Sequence, residues 1–269
     1  MVIMNVENIS FEIDNNRIFD NLSFSIESGT INAFISSNNS CKTTLIKVLS
    51  GVIYNNCGKI CVNNITLNNR NFKKYTINIS TILSDLDNQF MCDKVEDEIK
   101  YILKNLKYTK KDSEKNYCYV VNLLKIENLV DKKTCELSVI EKIKVLLASS
   151  IIHKPKILLI DDLLRFLNSN ERKEVLELFN VIVNNLNTSI IFTTSNLLDV
   201  INLSNIYVLK DGKIIMNNSY ENIILNDNDL SKAGIEIPLM IDLSRKLEFY
   251  GLVNKIYYDR DEVINVLWK

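Results

Sequence analysis

Glycine is scarce in this chain. Six occur in 269 residues, against roughly 7% in average proteins, so few loops can rely on its freedom to take positive φ. Histidine is scarcer still. His153 is the only one, and its place before an apolar strand reads as a surface residue ending a helix. A basic excess is also missing: 32 basic residues face 33 acidic ones for a net charge of −1, which argues against a nucleic-acid binder. No apolar run approaches the roughly 18–20 residues of a membrane span, and residues 1–10 lack the basic start of a secretory signal. Both absences predict a protein that stays in the cytoplasm. Framework spacing is absent from the six cysteines, Cys41, Cys57, Cys61, Cys92, Cys118 and Cys135. Cys57 and Cys61 have no second Cys/His pair to complete a metal site, so free thiols in a reducing compartment are expected.

What is present reads as an ordinary globular chain, 46% apolar and 24% charged, long enough for one large α/β domain with an appendage or for two smaller domains. Residues 2–5, 9–13 and 22–26 read as strands, with a turn at Glu27-Ser28-Gly29. A short apolar strand over 31–35 runs into a polar loop and then a helix over 43–50, closed by Gly51. A hairpin is expected around 59–67 and a strand over 77–83. The pattern is helical at about 94–106, 112–126 and 138–152. It then returns to a buried strand at 157–160, an amphipathic helix at 170–185 and a strand at 189–194. Asp211-Gly212 marks a further hairpin, and the tail from Ser219 is helical. Strand–helix alternation with a helical insertion predicts a mostly parallel sheet carrying a helical subdomain.

Two stretches carry chemistry. A strand, a tight loop and then Lys42-Thr43 opening a helix is the arrangement in which backbone N–H groups and a helix N-terminus cradle phosphates. In it the lysine reaches the β/γ oxygens and the hydroxyl holds Mg²⁺. Taken alone, Lys-Thr-Thr is more simply the start of a helix. The second stretch is Ile157-Leu158-Leu159-Ile160-Asp161-Asp162, four apolar residues ending in two carboxylates. Ligands bind at the C-terminal ends of parallel strands, so Asp161 falls where a ligand would be met. In isolation that pair is equally well a helix cap or a solvated loop. In the right order, around a helical insert, the two stretches together predict nucleotide-fold ancestry.

The whole chain resembles the ATP-binding subunits of ABC transporters, specifically those of energy-coupling factor vitamin importers. The most specific segments are Asp87-Asn88-Gln89-Phe90 followed by Val95-Glu96-Asp97-Glu98-Ile99, and Ala233-Gly234-Ile235-Glu236-Ile237-Pro238 followed by Leu243-Ser244-Arg245-Lys246-Leu247. Leu137-Ser138 aligns with the start of the family's signature, and 205–216 resembles its strand–Asp-Gly–strand. The resemblance implies an α/β P-loop NTPase fold of the ABC type, with a mixed sheet core, an antiparallel β subdomain, a helical subdomain and a helical C-terminal extension. It divides the chain into a nucleotide-binding domain over 1–225, with its helical subdomain at about 90–152, and an extension over 226–269.

The same resemblance implies ATP and Mg²⁺ as cofactors. Nucleotide contacts would come from Ser36, Ser37, Asn38, Asn39, Ser40, Cys41, Lys42, Thr43 and Thr44, with Ser138 contributing to a partner's site. Mg²⁺ would lie at Thr43 and Asp161, and Asp162 would be the catalytic carboxylate. Implied partners are a second ATP-binding subunit (the same chain or a different one), a transmembrane coupling subunit and a substrate-binding membrane subunit, at the cytoplasmic face of the cell membrane. No nucleic acid is expected.

Departures from the family pattern fall on the same site. Ser36, Asn39 and Cys41 stand where three loop glycines are expected, and a Cβ at positive φ costs about 1–2 kcal/mol. Ser84 replaces the Q-loop glutamine, Asp162 the catalytic glutamate and Ser195 the switch histidine. Val139, Ile140 and Glu141 replace the rest of the signature, Asn168 the D-loop aspartate and Ile13 the adenine-stacking aromatic. Two functions are compatible with this: an ATPase subunit that powers import through membrane partners, or a non-catalytic scaffold of the same transporter. The joint loss of chemical groups weighs toward the second for turnover, whereas architecture does not separate them.

Overall fold

The computed structural model describes residues 1–14, 16–37, 41–53, 57–258 and 260–267. In chain order the elements are β1 (Val2–Ile13), β2 (Asn16–Glu27), β3 (Ile31–Ile35), α1 (Lys42–Ser50), β4 (Cys57–Val62), β5 (Ile65–Thr66), α2 (Phe72–Ile77) and β6 (Ile79–Ile82). Next come α3 (Val95–Asn105), α4 (Lys110–Leu124), α5 (Val139–Ile151), β7 (Ile157–Ile160), α6 (Ser169–Leu186) and β8 (Ser189–Thr194). The chain finishes with β9 (Asn205–Lys210), β10 (Lys213–Asn218), α7 (Tyr220–Ile223), α8 (Asp227–Lys232), α9 (Leu239–Phe249) and α10 (Arg260–Leu267). Where separate strands at 2–5 and 9–13 were expected, β1 is continuous. Its middle bends at Asn8, which takes φ 52° beside shifts in pairing register.

Two sheets organise these elements. The larger has the order β10-β9-β3-β8-β7-β6, parallel from β9 to β6 and antiparallel only at the β9–β10 hairpin. Parallel strands covered on both faces read as unbroken apolar runs, and Ile157–Ile160 accordingly has every residue buried. The smaller sheet, β2-β1-β4-β5, is antiparallel. One face of β2 is solvated, so buried Leu22, Phe24 and Ile26 alternate with exposed neighbours. Phe34 of β3 stacks on Tyr207 of β9 at 4.6 Å between ring centroids, and the Tyr207 hydroxyl donates to Ser25 O at 2.9 Å, which ties the two sheets together.

Turn chemistry sets where the sheets meet. Asp211 and Gly212 both take positive φ, 46° and 74°, the geometry that matches a two-residue hairpin to strand twist. A Cβ on Gly212 would lie 2.1 Å from Ile18 O, so only glycine lets this hairpin approach β2. Helix α1 buries Leu45, Ile46, Val48 and Leu49 and ends on Gly51 at φ 79°. The short α2, which apolar periodicity alone does not reveal, buries Tyr75, whose hydroxyl donates to Leu49 O at 2.7 Å. Helices α3, α4 and α5 pack together as the helical insertion between β6 and β7.

His153 follows α5 as expected but is half-buried rather than on the surface. Its Nδ1 is buried without a hydrogen-bond partner among the described residues, and burial holds the ring below its ordinary 6.5, opposed by a hydrogen bond with the Ile77 backbone. Folding therefore favours the neutral ring. The stability it contributes is complete above the unfolded value and is lost as pH falls below it toward the lower folded value. The thermal midpoint of the protein should drop between about pH 7 and 5, and less steeply for His153→Gln. Parallel curves for the two proteins would contradict this.

Candidate functional site

The site is built where β3, β7 and β8 end and α1 begins. Strand β3 delivers Ser36, fully buried, whose N–H donates to Thr194 O at 3.3 Å. Lys42 is the first residue of α1 and only 4% exposed. Its Nζ donates to Ser36 O at 3.1 Å, closing the loop between strand and helix. Burial pushes the ammonium below its usual range, opposed first by Asp162 and then by Asp161. Thr43 Oγ1 donates to Asp161 Oδ2 at 2.7 Å. Asp161 has no exposed surface, and its other oxygen, Oδ1, accepts from Thr193 Oγ1 at 3.1 Å. The same Thr193 hydroxyl accepts from Asp162 N at 2.9 Å.

That last bond supports an unusual backbone. Asp162 sits at φ 45°, ψ 34°, a left-handed conformation that aspartate adopts more readily than most residues. It turns the chain away from β7, and its carboxylate faces Arg165 Nη1 at 3.8 Å. The loop preceding α1 holds a correction. Cys41 takes φ −73°, ψ 18°, and Ser36 is not among the positive-φ residues, so neither replacement of an expected glycine carries left-handed strain. Asn38, Asn39 and Ser40 lie outside the described residues. Burial pushes the Cys41 thiol up.

Ser37 and Thr44 open onto a cleft of about 430 Å³, whose other walls include Arg17, Ile18, Asp211 and Lys232. Gly234 lies at φ 68°, and a Cβ there would approach Ser37 Cβ at 3.3 Å, so the segment after α8 rests directly on the loop. Ile13, the position expected to stack on a base, does not line this cleft and is 42% exposed; Ile18 and Arg17 do line it. Ser138 is elsewhere. It caps α5, its hydroxyl accepting from Glu141 N at 3.4 Å while Glu141 Oε2 accepts from Ser138 N at 2.8 Å. Ser84 lines a separate cleft with Asp85, Lys142 and Arg165, in a loop clamped by Gln89, which bonds the Leu83 N–H and carbonyl. Ser195 faces Glu236, Pro238 and Asp242 of the C-terminal segment. Asn168 caps α6, accepting from Asn170 N and Glu171 N at 3.0 Å.

Sequence reasoning missed Thr193, Arg165 and the pair Arg172–Asp199. Asp199 is buried, which pushes its carboxyl up, and it accepts from Thr194 Oγ1 at 2.5 Å and Arg172 Nη1 at 3.0 Å. The pair ties the start of α6 to the end of β8. The legible signal was Thr193-Thr194 ending an otherwise apolar strand, since hydroxyls buried at that point need partners.

A mixed sheet with a phosphate-type loop, a lysine–threonine helix start and a buried strand-end aspartate defines a nucleotide-binding protein of the P-loop class. The ABC transporter family model matches residues 19–165, more than half of the chain. The protein EcfA1, an energy-coupling factor transporter ATP-binding protein of Fusobacterium nucleatum, is 32% identical over 245 residues, 89% of this chain and 90% of that one. Its namesake in Mesomycoplasma hyopneumoniae is 28% identical over 270 residues, 99% and 98% of the two chains. The cbiO1 structure from Clostridium perfringens, part of the ABC transporter complex cbiONQ, superposes with TM-score 0.79 at 22% identity over 92% of this chain and 99% of that one. The chain belongs to the ABC transporter family, among its energy-coupling factor ATP-binding proteins.

Thr193→Val removes the hydroxyl shared by Asp161 and Asp162 while keeping the side chain's size. Leaving buried polar groups unpaired costs about 1–3 kcal/mol, to be read by urea unfolding. A loss below about 0.5 kcal/mol, within the range of ordinary surface substitutions, would show that the bridge does not hold the site.

Proposed function

We propose that the chain is the ATP-binding subunit of an energy-coupling factor importer, working at the cytoplasmic face of the membrane beside a second ATP-binding subunit and membrane partners. The observation that carries the reading is the contact between Thr43 and Asp161, with Lys42 beside it. A hydroxyl and a carboxylate are hard oxygen donors that suit Mg²⁺, and Mg²⁺ typically takes one or two carboxylates and completes its shell with waters and substrate phosphates. Among the described residues no cluster of three acidic, cysteine or histidine side chains could hold a metal unaided, which fits an ion that arrives with its nucleotide. Thr43 and Asp161 would hold it, and it would neutralise phosphate charge there. Lys42, already directed at the loop carbonyl Ser36 O, would exchange that acceptor for the β and γ oxygens. Ser36, Ser37, Cys41 and Thr44 would contact the phosphates. No described helix is long and apolar enough to cross a membrane, so force would have to reach the bilayer through another chain. The transported compound would be a vitamin or other micronutrient, selected by a membrane subunit.

Asp162 is the assigned general base for the attacking water, and it faces Arg165 while Ser84 and Ser195 offer no charge. A misplacement of about 1 Å can cost on the order of 10²-fold in rate, so turnover is slow and nucleotide binding is the more strongly retained property. Both consequences meet in one assay. The chain co-purified with its membrane partners should hydrolyse ATP slowly, and Lys42→Ala should abolish both turnover and ATP-dependent uptake. Uptake unaffected by Lys42→Ala would overturn the proposal and leave a scaffold.

A further inference from the structure

Arg165 sits in the turn over Leu163–Phe166, three residues past Asp162. Its Nη1 is 3.8 Å from Asp162 Oδ2, too far for a hydrogen bond. None of its N–H donors is hydrogen-bonded among the described residues, although an arginine carries five. The guanidinium rests over the Phe166 ring, Cζ 4.5 Å from the centroid, which restricts where its donors point. The side chain is about half exposed, at 53%, in the cleft that also holds Ser84. Its charge also reaches Lys42, where it adds to the lowering of the ammonium's pKa. Two neighbouring basic side chains are engaged. Lys142 pairs with Asp87 at 2.5 Å, and Arg172 is held by Asp199 and Leu167 O. Among the described residues Arg165 is thus a cation with open donors beside Asp162 and Lys42.

Charge explains what such a group could do here. Asp161 and Asp162 face Lys42 and Arg165, two against two, before any ligand arrives. Phosphoryl oxygens add several negative charges, and Ser84 and Ser195, which stand where the family has its Q-loop glutamine and switch histidine, are uncharged. A planar guanidinium binds phosphate oxygens in a fork that a hydroxyl does not offer. We propose that Arg165 is a ligand of the terminal phosphate of the bound nucleotide, held at the ready by Asp162 and Phe166 and released to the phosphate on binding. This rests on the nucleotide-binding reading above and adds a residue to it. A purely structural Arg165, one that only neutralises Asp162, would affect every nucleotide alike. A terminal-phosphate ligand discriminates between nucleotides with and without the γ group.

The test is titration calorimetry of the full chain with MgATP and MgADP, for wild type, Arg165→Ala and Arg165→Lys, with matched thermal midpoints as the fold control. The loss of a charge-assisted bond should weaken ATP about 10-fold or more and leave ADP nearly unchanged. Arg165→Lys should keep part of the preference as a point charge. Equal weakening of both nucleotides by Arg165→Ala, or no weakening of either, would overturn the assignment while leaving nucleotide binding intact. A wild-type chain that binds neither nucleotide would overturn the nucleotide reading itself, and Arg165 with it.

Discussion

Asp161 is a carboxylate without exposed surface, held between the hydroxyls of Thr43 and Thr193, and the site's geometry depends on keeping it there. An ionised carboxylate taken out of water is tolerated only when hydrogen-bonded or paired. Each of its partners comes from a different element: Thr43 from α1, Thr193 from β8, and the backbone N–H of Asp161 itself pairs with Ile82 O of β6. A single charged group therefore fixes the helix carrying Lys42 against three neighbouring parallel strands. The same requirement explains Asp162. With Asp161 aimed inward, the next residue must turn sharply, and its N–H is met by the hydroxyl that already serves Asp161.

Much of this was legible beforehand because buried parallel strands announce themselves. The apolar run at 157–160, the strand at 189–194 and the Lys-Thr helix start stand where they were expected, and their order around a helical insertion identified the fold. What the sequence concealed has common physical causes. Thr193 lies inside an apolar strand, where a hydroxyl's partner is decided by tertiary packing and not by local pattern. Arg165 looks like any surface arginine until the left-handed turn at Asp162 brings it back over the site. The strain expected from missing glycines did not materialise at Ser36 and Cys41, because the backbone there avoids positive φ. His153 is half-buried where its sequence position suggests a surface residue, because burial of a helix end depends on what packs over it. Ile13 was a positional inference, and the cleft beside the loop is walled by Ile18 and Arg17 instead.

The chain's departures from its family are uneven in their physical consequences. Replacements around the loop leave Thr43 hydrogen-bonded to Asp161 and Lys42 held nearby at Ser36 O, the contacts on which the proposed phosphate and metal recognition would rest. Ser84 and Ser195 stand where the family has its Q-loop glutamine and switch histidine, and the Asp162 carboxylate has Arg165 opposite it. On the proposed reading, binding would rest on α1 and the end of β7, and turnover on loops whose expected reacting groups are replaced. Gly234 lies close to Ser37, where an added Cβ would come within 3.3 Å of Ser37 Cβ, so the C-terminal segment and the phosphate loop are neighbours.

The central claim is that Thr43 and Asp161 retain a Mg²⁺-assisted triphosphate site. Titrating ATP into the full chain with Mg²⁺, and again with the metal chelated, tests it most directly. ATP should bind, and about 10-fold more tightly with Mg²⁺, a difference of about 1.4 kcal/mol. ATP affinity indifferent to Mg²⁺, or no binding at millimolar ATP, would contradict it.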